Sequence, residues 1–133
     1  MKTLSKYIHP ITLKAALEVA SNLRSDDFRE LSDGHGLDPL LYLAAMSADP
    51  STVYFTSPSG KAAGMAGVGR EGDIWMLCTN VIHEQPTLFA RQAKRYVDNR
   101  TEPLLWNIVD SRNKAHLKLL KFLGFKFLRK LKH

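Results

Sequence analysis

Two hydrophobic periods alternate along this chain, and their order restricts the fold more than any single motif. Up to residue 47 apolar residues recur at helical spacing. Ala16, Leu17, Ala20 and Leu23 follow Pro10, and Leu40, Leu43, Ala44 and Ser47 follow Asp38-Pro39. Pro10 is expected in the first turn of its helix, where a missing N–H costs nothing. Asp38 is expected as an N-cap with Pro39 at the first helical position. A shorter helical piece, Asp26 to Leu31, stops at Asp33-Gly-His-Gly36.

From Thr52 the period becomes two. Val53–Thr56, the turn Pro58-Ser-Gly60, the Gly-rich run Ala62–Val68, the turn Gly69–Gly72 and Asp73–Thr79 read as a three-strand meander. The glycines of the middle strand suggest close approach by another backbone or a ligand. Helical spacing returns after Pro86, with Phe89, Ala93, Tyr96 and Val97 on one face. A strand Leu104–Val109 follows, then a closing helix with Ala115, Leu119, Phe122 and Leu123 inward, and a last strand Phe125–Arg129. With a first strand at Leu4–Ile8, the expected architecture is α/β. It is a single domain, 1–133, whose mixed sheet of about six strands is flanked by helices, because a crossover must pack a helix across the sheet face.

At 133 residues and 44% hydrophobic the chain is long enough to bury a core of its own. Cys78 is the only cysteine, so no intramolecular disulfide forms, and its setting in Ile74-Trp-Met-Leu-Cys-Thr79 is that of a buried strand in a reducing compartment. No run reaches the ~20 apolar residues of a membrane span, and the first ten residues lack a signal-peptide core. The net charge of +6 is gathered at the C-terminus. Residues 111–133 hold eight Lys or Arg and no acid, leaving eleven bases against thirteen acids in the rest. Such a patch attracts polyanions, or it is a solvated helix face with a lysine-protected strand edge. Nucleic acid is disfavoured as a partner, because no aromatic stacking pattern or helix-turn-helix accompanies the charge. The five histidines show no metal-ligand spacing with Cys78 or one another, so no metal site is expected.

The segment Asn113-Lys-Ala-His-Leu-Lys-Leu-Leu-Lys-Phe-Leu-Gly124-Phe125 resembles the last helix of the GNAT family of N-acetyltransferases, which an Asn opens and Gly-Phe ends. Gly36-Leu-Asp-Pro39, Trp75-Met-Leu-Cys-Thr79, Gln85-Pro86 and Leu105-Trp-Asn107 are similar to small phage-encoded members, among them the internal virion protein A type of short-tailed phages. The resemblance implies a phage origin and a GNAT-like sheet whose fourth and fifth strands splay into a wedge for acetyl-CoA or coenzyme A. It places the carrier against Leu77, Cys78, Thr79, Asn80, Gln85, Asn113 and Leu120. It also implies a protein or small-amine acceptor, or a host or phage protein as partner, in the host cytoplasm or the virion, with the chain a monomer or homodimer.

The chemistry such a fold performs is attack of an amine on a thioester, which needs positioning, carbonyl polarisation, a base and an acid for the thiolate. Where the family usually carries a Tyr acid, this chain has Leu120, and the phosphate loop 79–86 has no glycine but carries Glu84 and Pro86. Asn113, His116 and Leu120 share one helix face. His116 is therefore the candidate catalytic acid, or an exposed histidine of a basic helix. Asn113 is an N-cap, a ligand contact or both. His83 is a loop base or phosphate donor, or exposed. Cys78 reads as a small core residue. Trp75, Trp106 and Tyr96 read as core aromatics. Two functions follow: an acyl-CoA-dependent N-acyltransferase, or a catalytically impaired effector or virion protein that binds a host or phage protein.

Overall fold

A computed structural model describes residues 6–34, 36–107 and 113–126. Strands β1 (Ile8–Pro10), β2 (Val53–Thr56), β3 (Ala62–Val68) and β4 (Ile74–Cys78) form an antiparallel sheet in the order β1-β2-β3-β4. Helices α1 (Leu13–Ser21), α2 (Ser25–Arg29) and α3 (Pro39–Met46) precede the meander, with a π-helical turn Glu30–Gly34 between α2 and α3. A 3-10 turn Asn80–His83 leads into α4 (Pro86–Asp98), and α5 (Lys114–Phe122) follows. The mixed α/β class stands. The six-strand mixed sheet is corrected to four antiparallel strands among the described residues. The expected fifth strand is reduced within them to one parallel bridge, Asp73 with Trp106, and residues 108–112 lie outside them. Phe125 and Lys126 belong to no strand, and the rest of the expected last strand lies outside the described residues, as does Leu4.

The helices begin where local chemistry stops the preceding strand or loop. Thr12, not Pro10, starts α1: its side chain accepts from Ala15 N at 3.1 Å, while Pro10 ends β1 opposite Val53. A proline at a strand's end forgoes no ladder bond that matters, so an edge strand tolerates it. Asp38 Oδ1 accepts from Leu40 N and Leu41 N, with Pro39 opening α3 as its sequence requires.

The sheet divides two apolar layers. On one face Phe55, Met76 and Cys78 pack with Phe89, Ala93 and Tyr96 of α4 and Leu123 beyond α5. The Phe55 ring meets Phe89 edge-on at 5.5 Å and Tyr96 at 6.2 Å. On the other face Ala62, Met65 and Leu77 pack with Ala16 and Val19 of α1, Leu31 and Leu43. β3 is buried along its whole length, covered on both sides, which accounts for its lack of alternation. Its glycines do admit close neighbours, as expected. A Cβ on Gly64 would meet Leu77 O at 2.8 Å, and one on Gly67 would meet the Trp75 indole at 2.7 Å.

Candidate functional site

Strand β4 is one edge of the sheet among the described residues, and its two ends are held by different parts of the chain. Near the start, Ile74 N donates to Trp106 O at 2.9 Å and Trp106 N donates to Gly72 O at 3.1 Å. At the far end, Cys78 O accepts from Arg24 N at 2.9 Å, and Cys78 N donates to Asp27 Oδ2 at 2.8 Å. The beginning of α2 thus sits where a neighbouring strand, or a ligand pairing as one, would bind. Between these ends lies a cleft bounded by Ile74, Met76, Asn107, His116, Leu120 and Phe125, with about 10 Å³ of room.

A buried polar cluster lies beside the cleft at the Cys78 end and reaches its lining through His116. Arg24, Asp27 and Glu30 stand three residues apart across α2 and its π-helical extension, so they share a face. Asn113 and His116 are likewise three apart on α5. Asn113 is completely buried, and its side chain has two jobs. Its Oδ1 accepts from His116 N at 3.3 Å, capping α5, and its Nδ2 donates to Asp27 Oδ1 at 2.7 Å and Glu30 Oε1 at 3.3 Å. Arg24 Nη1 lies 3.5 Å from both Asp27 Oδ1 and Asn113 Oδ1. His116 Nδ1 lies 3.7 Å from Glu30 Oε2, and both side chains are largely buried. Burial pushes the Asp27 carboxyl above 3.8, against the opposing pull of the Cys78 N–H, Asn113, His116 and Arg24. Burial also raises the Cys78 thiol well above 9.0, with Asp27 adding to the effect.

The residues expected around a thioester carrier are scattered. Asn113 and Leu120 do meet beside the cleft with His116, and His116 is buried rather than an exposed residue of a basic helix. Cys78 reaches the same place only through its backbone, its side chain lying in the α4 layer. Leu77 points into the opposite layer, toward α1. Thr79 is buried; its hydroxyl donates to Ala62 O at 2.8 Å and accepts from Val81 N at 3.2 Å. Asn80 and Gln85 are exposed, and Gln85 makes no side-chain cap to α4. His83 is exposed, and Glu84 accepts from Ser57 and Ser59 across the loop. Trp106 is a rim residue, 38% exposed, not a core aromatic; its indole N–H donates to Glu71 O.

What the sequence reading missed is the pairing of the two polar faces. Its signal was present as matching three-residue spacings, Arg24/Asp27/Glu30 and Asn113/His116, but nothing in spacing says that elements 86 residues apart face one another. Comparison with protein-family models, with curated proteins and with solved structures gives no match.

Proposed function

We propose that the chain is a GNAT-like domain of the small phage-encoded kind whose thioester cleft is closed from within, and that it acts by binding a protein partner of phage or host. The supporting observation is the size and occupancy of the cleft. Small-ligand sites run to about 300–1,000 Å³, whereas this cleft offers about 10 Å³. The Cys78 N–H and C=O, the strand groups nearest the expected carrier, are already engaged by Asp27 and Arg24. The phosphate end is no better prepared: Glu84 brings negative charge and Pro86 lacks an N–H where bare donors would hold a pyrophosphate. Exposed apolar side chains supply the alternative. Leu13 and Leu17 of α1 and Leu40 and Leu41 of α3 are 55, 38, 47 and 71% exposed on two helices that pack together, the kind of surface that marks protein contact.

Calorimetric titration with acetyl-CoA is expected to give no saturable heat up to millimolar ligand. Saturable binding would overturn the closed-cleft reading. For the partner, Leu17→Glu with Leu41→Glu is expected to abolish capture of a protein that wild type retains from host lysate. Equal capture by both would remove this face from the interaction.

A second reading, acyl transfer to an amine, is favoured by one observation: His116 lies in the cleft on the same α5 face as Leu120, with Glu30 behind its Nδ1. In that reading His116 delivers the proton to the departing thiolate. Acetyl transfer that is lost in His116→Ala would support it; no transfer by wild type to any amine tested would end it.

A further inference from the structure

Asp27, Glu30 and His116 each bring one ligating atom, two carboxylate oxygens and an imidazole nitrogen, within 4.8 Å of one another. From this convergence we propose a divalent-cation site suited to Zn²⁺, with Asp27, Glu30 and His116 as protein ligands and a water from the adjoining cleft as the fourth.

His116 supplies the observation that points beyond a mere ion-pair network. Its side chain is 93% buried, being 7% exposed, and Nδ1 has no hydrogen-bond partner among the described residues. Glu30 Oε2 at 3.7 Å is too far for a hydrogen bond. A buried ring nitrogen left so carries a desolvation cost that a metal bond removes. The carboxylates are also held as metal-ligating carboxylates are held. Asn113 Nδ2 donates to both, and the Cys78 N–H fixes the second oxygen of Asp27. An oxygen that accepts one hydrogen bond keeps a lone pair for coordination.

Donors and room agree. Two carboxylates and an imidazole nitrogen facing one another are donors to a cation rather than to an anion. A cleft of about 10 Å³ beside His116 matches the space a single water needs. A nitrogen donor with few oxygens suits Zn²⁺ and its first-row neighbours rather than Ca²⁺ or Mg²⁺. Zinc bonds of about 2.0–2.2 Å require the ligand atoms to draw in to about 3.3 Å of one another. The site therefore requires the Glu30 and His116 side chains to rotate inward on binding while Asp27 stays tied to β4. Bound there, the ion braces α2 against α5. The proposal rests on the cluster alone and is independent of the closed-cleft reading.

The test uses the full chain stripped with EDTA and then titrated with Zn²⁺ against a chromophoric chelator. One tight equivalent is expected in wild type, weakened at least about tenfold in Glu30→Gln and in His116→Ala and unchanged in His83→Ala. Co²⁺ in place of Zn²⁺ is expected to give the strong visible absorption of a four-coordinate ion. No Zn²⁺ uptake by wild type overturns the site, as does equal affinity in Glu30→Gln, or a weak six-coordinate Co²⁺ spectrum. Because His116→Ala can fail to fold, Glu30→Gln and the wild-type Co²⁺ spectrum decide the matter without it.

Discussion

Replacing Asp27 with Ala strips partners from three groups at once: the Cys78 N–H, the Asn113 amide and the Arg24 guanidinium. Breaking a buried pair by removing one member costs about 3–5 kcal/mol, and because Arg24 keeps Asp26 Oδ2 at 3.8 Å the lower end of that range applies. Asp27→Ala is expected to lose that much in urea denaturation. A loss below about 1 kcal/mol would show that water takes over its role. The same carboxylate sets a pH dependence of unusual sign. Burial raises its folded pKa above 3.8, so the folded state holds the proton more tightly than the unfolded chain. Its contribution is therefore greatest at pH below that unfolded value and is lost as pH climbs through the folded one. Wild type should lose stability relative to Asp27→Asn as pH rises above about 4, then run parallel to it. A constant difference from about pH 3 to pH 7 would contradict the raised value. Cys78, buried and with its thiol pushed up, is expected to resist alkylation in the native protein and to react fully once unfolded.

At the scale of elements, close backbone contact does what side chains do elsewhere. Gly72 has φ +84°, and a Cβ there would stand 2.1 Å from Leu104 O, in the segment that reaches β4 through Trp106. Gly60 has the same φ, +84°, with no atom of the described residues within 4 Å of its missing Cβ. Left-handed backbone alone costs a non-glycine residue about 1–2 kcal/mol. Gly60→Ala should lose about that, and Gly72→Ala measurably more by thermal or urea unfolding, because the carbonyl of Leu104 has to move. Equal losses would mean that the 104–106 segment yields freely. Much of this layer was legible beforehand. The Asp38-Pro39 start, the Pro86 start and the Gly-rich middle strand all follow from local chemistry. The inward stripe of α5 was not. Ala115, Leu119, Phe122 and Leu123 read as its core face, yet Phe122 is 50% exposed while His116 and Leu120 are buried. Apolar spacing alone could not foresee that Asn113 and His116 turn inward toward carboxylates supplied by α2 and the π-helical turn. Leu40 erred the same way, reading as core where only Leu43 of that stripe is fully buried. The two-element polar cluster was thus invisible for the reason it matters: its halves meet only in the folded chain.

For the molecule as a whole, the two outer faces differ in chemistry. Arg91 and Arg95 of α4 and Lys114, Lys118 and Lys121 of α5 are exposed, and Lys94 pairs with Asp98 on the same side. The helices before the meander instead expose leucines on α1 and α3. A positive face attracts any polyanion by releasing counterions, and that attraction weakens steeply with salt. Specific recognition would need base-reading or stacking groups as well. The exposed residues of α5 offer lysines together with Phe122 alone among the aromatics, too little for a stacking platform. Binding to a fluorescent duplex or single strand should therefore be independent of sequence, weaker than about 1 μM at physiological salt, and lost as salt is raised further. Submicromolar, sequence-dependent affinity that persists there would favour the basic helices over the proposed partner face on α1 and α3. The Leu17→Glu, Leu41→Glu variant provides the counterpart. Exposed substitutions of this kind shift stability by only about 0.5 kcal/mol, so loss of protein capture with unchanged melting and unchanged low-salt DNA binding would assign partner recognition to the apolar face, leaving the basic one to long-range attraction.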